Sequence, residues 1–169
     1  EKFNLHPLST GELLRNEIIN KTQLGLTIST KMNNGDLVSD KIVSDLIEKF
    51  ISNDHYKNRL IFDGYPRNLI QVKHLENLLQ KNNQKIDMVL KLIVSLDTIK
   101  KRIYERKTLE QRADDKEQIA IKRYEMYEKN IEPVIEFYKQ SNLLTVVNGE
   151  KSISEISHEI SGLIESIKG

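Results

Sequence analysis

The stretch that most constrains this chain is 59–68. Leu60, Ile61 and Phe62 have the pattern of a short buried strand, and Asp63, Gly64, Tyr65, Pro66 and Arg67 follow directly. A proline just past an acid and a glycine stops the ladder and prevents an immediate helix. The strand must therefore deliver Asp63 and Arg67 at its carboxyl end. In an open α/β sheet, ligands collect outside the carboxyl ends of the strands. An acid and an arginine presented there by one rigid turn suit a ligand that combines a metal ion with phosphate.

Around this strand the helical and extended patterns alternate. Residues 3–8 are too short to assign alone. Ser9 and Glu12 have capping-box spacing, which predicts a helix over 11–20. Gly25 interrupts the pattern. A second short helix is expected over 27–34, with Gly35 as its stop. Ser39 is the expected cap of a third, whose apolar stripe is Ile42, Val43, Leu46, Ile47, Phe50 and Ile51. Asn68 can cap a helix to about 80, with Leu69, Val72, Leu75 and Leu79 inward. Residues 88–94 read as a strand buried on both faces. Asp97 caps a helix carrying Arg102 and Arg106, and 107–113 form a polar stretch. A long helix should run from Asp114 to about 140, with Asp115 near its positive end and Pro133 bending or interrupting it. A strand over 143–147, a turn at Asn148 and Gly149, and a Ser152/Glu155 capping box before a last apolar-striped helix complete the chain. Strands alternating with helices predict an α/β fold with a parallel sheet and right-handed crossovers.

Composition narrows the chemistry by exclusion. The 169 residues make one domain with a sizeable core. A net charge of +1, with bases and acids interspersed, argues against nucleic acid as the partner. There is no cysteine, so thiolate zinc sites and disulfides are ruled out and a cytoplasmic location is allowed. No apolar run approaches the ~20 residues that span a bilayer. His6, His55, His74 and His158 are scattered without ligand spacing, and no serine sits in a nucleophile elbow.

The arginines carry the remaining signal. Taken singly, an arginine is most often a surface or ion-paired side chain. Arg102 and Arg106, however, are four apart and share one helical face, Arg112 and Arg123 flank the start of the next helix, and Arg67 ends the strand–turn unit. Arginine matches phosphate through two parallel hydrogen bonds. Asp63 could hold magnesium directly or through its waters, since that ion takes few protein carboxylates and relies on phosphate oxygens. Asp114 and Asp115 could pair with the nearby arginines or cap their helix. The profile is phosphoryl transfer, in which the protein supplies position and charge rather than covalent chemistry.

In these features the chain resembles the nucleoside monophosphate kinase family and, within it, the adenylate kinase branch. The resemblance rests on residues 8–15 with Thr10 and Arg15, on Met32 with 35–38, and on 62–67 with Gln71 beyond it. It continues through Arg102, Arg106, 112–115, Arg123, 133–138 and 147–149. It implies a P-loop-type parallel sheet, an NMP-binding segment over 9–38, a short lid over 106–113, and the reaction MgATP + AMP ⇌ 2 ADP by a cytoplasmic monomer. Thr10 and Gln71 would read adenine, Arg15 and Arg67 would grip the AMP phosphate, and Asp36, Leu37, Val38, Gly64, Tyr65 and Pro66 would line the nucleotide. Arg102, Arg106, Arg112 and Arg123 would surround the transferring group and with Arg67 stabilise it, Arg112 and Arg123 also facing AMP and Arg102 and Arg106 facing ATP. Lys151 would touch ATP adenine by its backbone, and Asp63 would order magnesium waters. The lid is too short for a metal-binding insertion, so no structural zinc is expected.

UMP/CMP kinases share the scaffold, but usually carry alanine and asparagine at the positions of Thr10 and Gln71; Asn68 is a residue shared with that pyrimidine branch. The family's glycine-rich phosphate loop has no match in the 169 residues. The expectation is that the parent protein contains it together with a central strand. The 169 residues alone would then expose a split sheet and be weakly folded and inactive, and a non-catalytic AMP-binding remnant is the alternative from another class.

Overall fold

The computed structural model describes residues 2–34, 36–110 and 117–168, with the backbone alone at 106–110, 117 and 168. Four strands and seven α-helices alternate along these residues: β1 (His6–Ser9), α1 (Thr10–Ile19), α2 (Gln23–Asn33), α3 (Asp40–Ile51), β2 (Leu60–Asp63), α4 (Leu69–Lys81), β3 (Val89–Ile93), α5 (Leu96–Glu110), α6 (Glu117–Gln140), β4 (Leu144–Asn148) and α7 (Ile153–Lys168). A 3-10 turn at Asp54–Tyr56 precedes β2. The strands pair in parallel, β1 with β2 and β3 with β4, and no ladder joins the two pairs among the described residues. The expected parallel α/β organisation is present, as two short sheets rather than one.

The first half is densely packed. β1 and β2 run in register, with Leu8 opposite Phe62 and Ser9 opposite Asp63. Leu8, Leu14, Ile28, Met32, Val43, Leu46, Ile47, Ile51, Leu75 and Leu79 form one buried cluster beneath them. The α3 stripe read from the sequence is the one that is buried. Val72, Leu75 and Leu79 of α4 point inward as expected, whereas Leu69 is exposed. A second, smaller cluster joins Val72 to Val134 and Tyr138 of α6, with Val89 and Leu144 against it. The hydroxyl of Tyr138 donates to Glu76 Oε1 at 3.4 Å across the same α4–α6 joint.

Several local expectations give way to tertiary context. Residues 6–9 are a strand because β2 supplies a ladder for them. Ser9 consequently belongs to β1, and its side chain makes no cap bond on α1, nor does that of Ser39 on α3. Gly25 lies inside α2, which starts earlier than expected because Thr22 accepts a hydrogen bond from Gly25 N. A Cβ at Gly25 would stand 2.0 Å from Glu17 O, so this glycine permits close contact of α1 with α2. The cap of α5 is Ser95, whose Oγ accepts from Thr98 N, and Asp97 sits in the first turn. Asn68 caps α4 through Gln71 N, and Ser152 and Glu155 form the reciprocal capping box of α7. α6 continues uninterrupted through Pro133.

Neither β2 nor β3 is the fully buried strand anticipated. Burial alternates along β2, with Ile61 44% exposed, and β3 ends with Leu92 and Ile93 at 46% and 55%. Among the described residues each has one strand neighbour, so one ladder edge has no partner there. The proposed stop at Gly35 and helix start at Asp114 and Asp115 lie outside the described residues.

Candidate functional site

The site is built at the carboxyl ends of β1 and β2. Because these strands are parallel and in register, their exits fall side by side. Thr10 begins α1 directly after β1, and its buried hydroxyl reaches across to the β2 exit. It shares its proton between Gly64 O at 3.1 Å and Asp63 O at 3.4 Å. Gly64 has φ +70, and a Cβ there would stand 2.9 Å from Arg67 Nη2 and 3.1 Å from Thr10 Oγ1. Glycine is needed here for the left-handed backbone, and a Cβ would also press on the end of the Arg67 side chain and on Thr10. Tyr65 and Pro66 are joined by a cis peptide bond. Tyr65 is buried, and its hydroxyl meets Ser44 Oγ and Gln71 O, each at 3.3 Å.

Arg67 is folded back onto the turn that carries it. Its Nε donates to Gly64 O at 2.7 Å, while its backbone N donates to Gln71 Oε1 at 2.7 Å. Burial, followed by the nearby charge of Arg123, pulls the Arg67 guanidinium below its ordinary range against an opposing pull from Asp63. Arg67 and Arg123 are thus near enough to feel one another's charge. Two guanidiniums held near one another suit an anion between them. Arg15 folds over Gly11, the residue after Thr10: its Nη1 is 3.2 Å from where a Cβ on Gly11 would be. Arg123, from α6, donates to Met32 O at 3.4 Å.

The end of the 9–38 segment meets the same helix. Lys122 Nζ pairs with Asp36 at 2.6 Å and donates to Asn34 O at 3.1 Å. Val38 is buried and Leu37 exposed. Thr10, Arg15, Asp36, Val38, Gly64, Tyr65, Arg67, Gln71 and Arg123 thus belong to one connected region.

Arg102 and Lys151 belong to the other sheet. Arg102 Nη2 donates to Gly149 O at 2.7 Å, tying α5 to the turn after β4, and Lys151 pairs with Glu159 at 2.8 Å along α7. Arg106 is placed only by its backbone in α5, and Arg112 lies outside the described residues. Asp63 is exposed and makes no side-chain hydrogen bond or ion pair with the described residues. No group of three or more histidines, cysteines or carboxylates that could hold a metal occurs among the described residues. A lone free carboxylate fits an ion that arrives already bound to phosphates, which needs few protein oxygens.

Two residues reach the site that motif reading passed over. Asp40, the first residue of α3, accepts from Gln71 Nε2 at 2.6 Å and from Asn68 Nδ2 at 3.1 and 3.2 Å. Lys122 holds Asp36. The sequence hinted at Asp40 only as an acid in a first helical turn, a common placement.

The comparisons agree with this geometry. The family model described as adenylate kinase matches residues 1–143. An adenylate kinase of Pelagibacter ubique (strain HTCC1062) is 37% identical over 191 residues, covering 98% of this chain and 90% of that protein. That of Bifidobacterium longum (strain NCC 2705) is 37% identical over 165 residues, covering 98% and 89%. That of Prochlorococcus marinus (strain MIT 9515) is 40% identical over 153 residues, covering 90% and 81%. With a family model over most of its length and relatives of this identity across nearly all of it, the chain belongs to the adenylate kinase family.

Proposed function

We propose that this protein is a phosphotransferase that moves the terminal phosphoryl group of MgATP to AMP, giving two ADP, and runs the reverse reaction. The observation that carries this reading is the convergence of Thr10, Gly64 and Arg67 at the twin strand exits, with Arg123 adding a second guanidinium close enough to act on Arg67. Arg67 and Arg15 take the AMP phosphate. Arg123 faces the same phosphate from α6 and, with Arg102, Arg106 and Arg112, offsets the charge that spreads over the phosphoryl oxygens as the bond to ADP breaks. Thr10 and Gln71 select adenine; Asp36, Leu37, Val38, Tyr65 and Pro66 line the acceptor nucleotide. Lys151 meets the ATP adenine through its backbone.

Magnesium enters as part of MgATP and supplies positive charge at the phosphates. Asp63 holds its waters. Residues 9–38 act as the acceptor-binding segment and 106–113 as the short lid; its first five residues continue α5 and its last three lie outside the described residues. The net charge of +1, with acids among the bases, suits a mononucleotide partner rather than a polynucleotide.

Turnover of the full-length protein with AMP, CMP and UMP as acceptors tests the reading. AMP should give the highest kcat/KM, and a clear preference for UMP would sink the adenine assignment.

A further inference from the structure

The Gln71 side chain is 5% exposed and is held at both ends of its amide. Nε2 donates to Asp40 Oδ1 at 2.6 Å, and Oε1 accepts from Arg67 N at 2.7 Å. An ionised carboxylate can only accept and a backbone N–H can only donate. The two partners therefore demand the same orientation of the amide, and a 180° flip would set Nε2 against an N–H and Oε1 against a carboxylate. Asp40 is itself fixed: Asn68 Nδ2 donates to both of its oxygens, while Asn68 Oδ1 accepts from Gln71 N and starts α4. The loop closes through Asp40, Asn68 and Gln71, joining the first turns of α3 and α4. One N–H and one oxygen lone pair of Gln71 remain for a ligand.

We propose that Asp40 is a specificity-determining, positioning residue: by locking the Gln71 amide in one orientation, it makes the acceptor site choose a 6-amino purine over a 6-oxo purine. This rests on the reading that Gln71 contacts the acceptor base. Adenine offers an amino donor beside a ring-nitrogen acceptor. Hypoxanthine has the same shape with a carbonyl acceptor and a protonated ring nitrogen in those places, so it matches the flipped amide. A site whose polar groups cannot reorient leaves the wrong base with unpaired groups and rejects it. A freely rotating amide would adapt to either.

The experiment uses the full-length protein and compares AMP with inosine monophosphate as acceptors for wild type, Asp40→Leu, Gln71→Ala and the double variant. Asp40→Leu should raise KM for AMP by about 3- to 10-fold, the worth of one hydrogen bond, and lower the AMP-over-IMP preference in kcat/KM by at least as much. KM for ATP should stay within about twofold, since the change is confined to the acceptor base. If Asp40 acts through Gln71, the double variant is no less selective than Gln71→Ala alone.

An unchanged AMP-over-IMP ratio in Asp40→Leu, with a reduced ratio in Gln71→Ala, overturns the positioning role and leaves the Gln71 reading standing. An unchanged ratio in Gln71→Ala overturns both. Additive losses in the double variant overturn the route through Gln71. Should Asp40→Leu fail to fold, Asp40→Asn carries the same measurement, because its amide can donate to Gln71 Oε1 and so leaves Arg67 N as the one described group opposing the flipped orientation. A shift in thermal midpoint with the ratio intact would show a helix-end role only and overturns the proposal.

Discussion

The two halves of the molecule use the same unit, a parallel strand pair with helical crossovers, to different degrees of completion. Around β1 and β2, the helices α1 to α4 supply a single buried cluster, and the polar groups at the strand exits are tied to one another. Around β3 and β4, the buried core is small and contributed largely by α4 and α6, while Leu92, Ile93 and Val146 stay about half exposed. The first half orders Thr10, Gly64 and Arg67 to within hydrogen-bond distances, whereas in the second Arg102 is tied to a turn and Lys151 to its own helix.

Truncation of the two cores separates the halves most strongly. Leu75→Ala should destabilise by about 2–5 kcal/mol, because Leu75 is completely buried and the site cannot collapse freely. Leu92→Ala, in the half-exposed end of β3, should cost about 1 kcal/mol or less. Denaturant titration of both variants checks this; equal losses would mean that Leu92 is covered in solution and that the contrast is false.

Next in size is the acceptor end. Arg67→Ala should weaken AMP binding by about 1.5–3 kcal/mol, the range for a hydrogen bond to a charged group, with ATP binding nearly unchanged. Calorimetric titration with AMP reads it directly, and an unaltered affinity would reduce the first half to a scaffold. Gly64→Ala should cost about 1–2 kcal/mol through its left-handed backbone alone. It should also displace Arg67 and so raise KM for AMP, which steady-state kinetics would detect.

The smallest effect tests the second half. The Glu150 carboxylate accepts from Thr98 Oγ1 at 2.6 Å and from Ser95 N, and these bonds hold it below the usual carboxylate range. A carboxyl whose folded-state value is depressed contributes stability that is present above its unfolded value and is lost as pH falls through the folded one. Glu150→Gln should therefore remove that increment at neutral pH and flatten the acid limb of a pH–stability curve, the two proteins converging at low pH. A steeper acid limb in the variant would contradict the bonding seen at the turn after β4.

Much of the local structure around the strand exits was legible because its residues lie in short contiguous motifs. The 62–67 turn, the Asn68 cap, the α3 stripe and the Ser152/Glu155 box depend on contacts within a few residues, and local chemistry specifies them. The failures share another cause. Ser9 has a capping residue's identity, but pairing with β2 takes its backbone into a strand first. Gly25 has a breaker's identity, but the approach of Glu17 makes it a packing residue. Asp40 has the identity of a helix-start acid, and nothing local ties it to residues 28 and 31 positions away.

The sequence by itself determined the family, the alternation of strands and helices, and which residue types stand at the strand exit, because hydrophobic period, turn chemistry and motif spacing are properties of neighbours along the chain. Only the tertiary structure decided that Thr10 closes over Gly64, that Arg67 and Arg123 share a field, and that Asp40 and Arg67 orient the Gln71 amide between them. Such directions depend on which distant groups must satisfy one another once water is excluded, and that pairing exists only after the β1–β2 unit and its helices have packed.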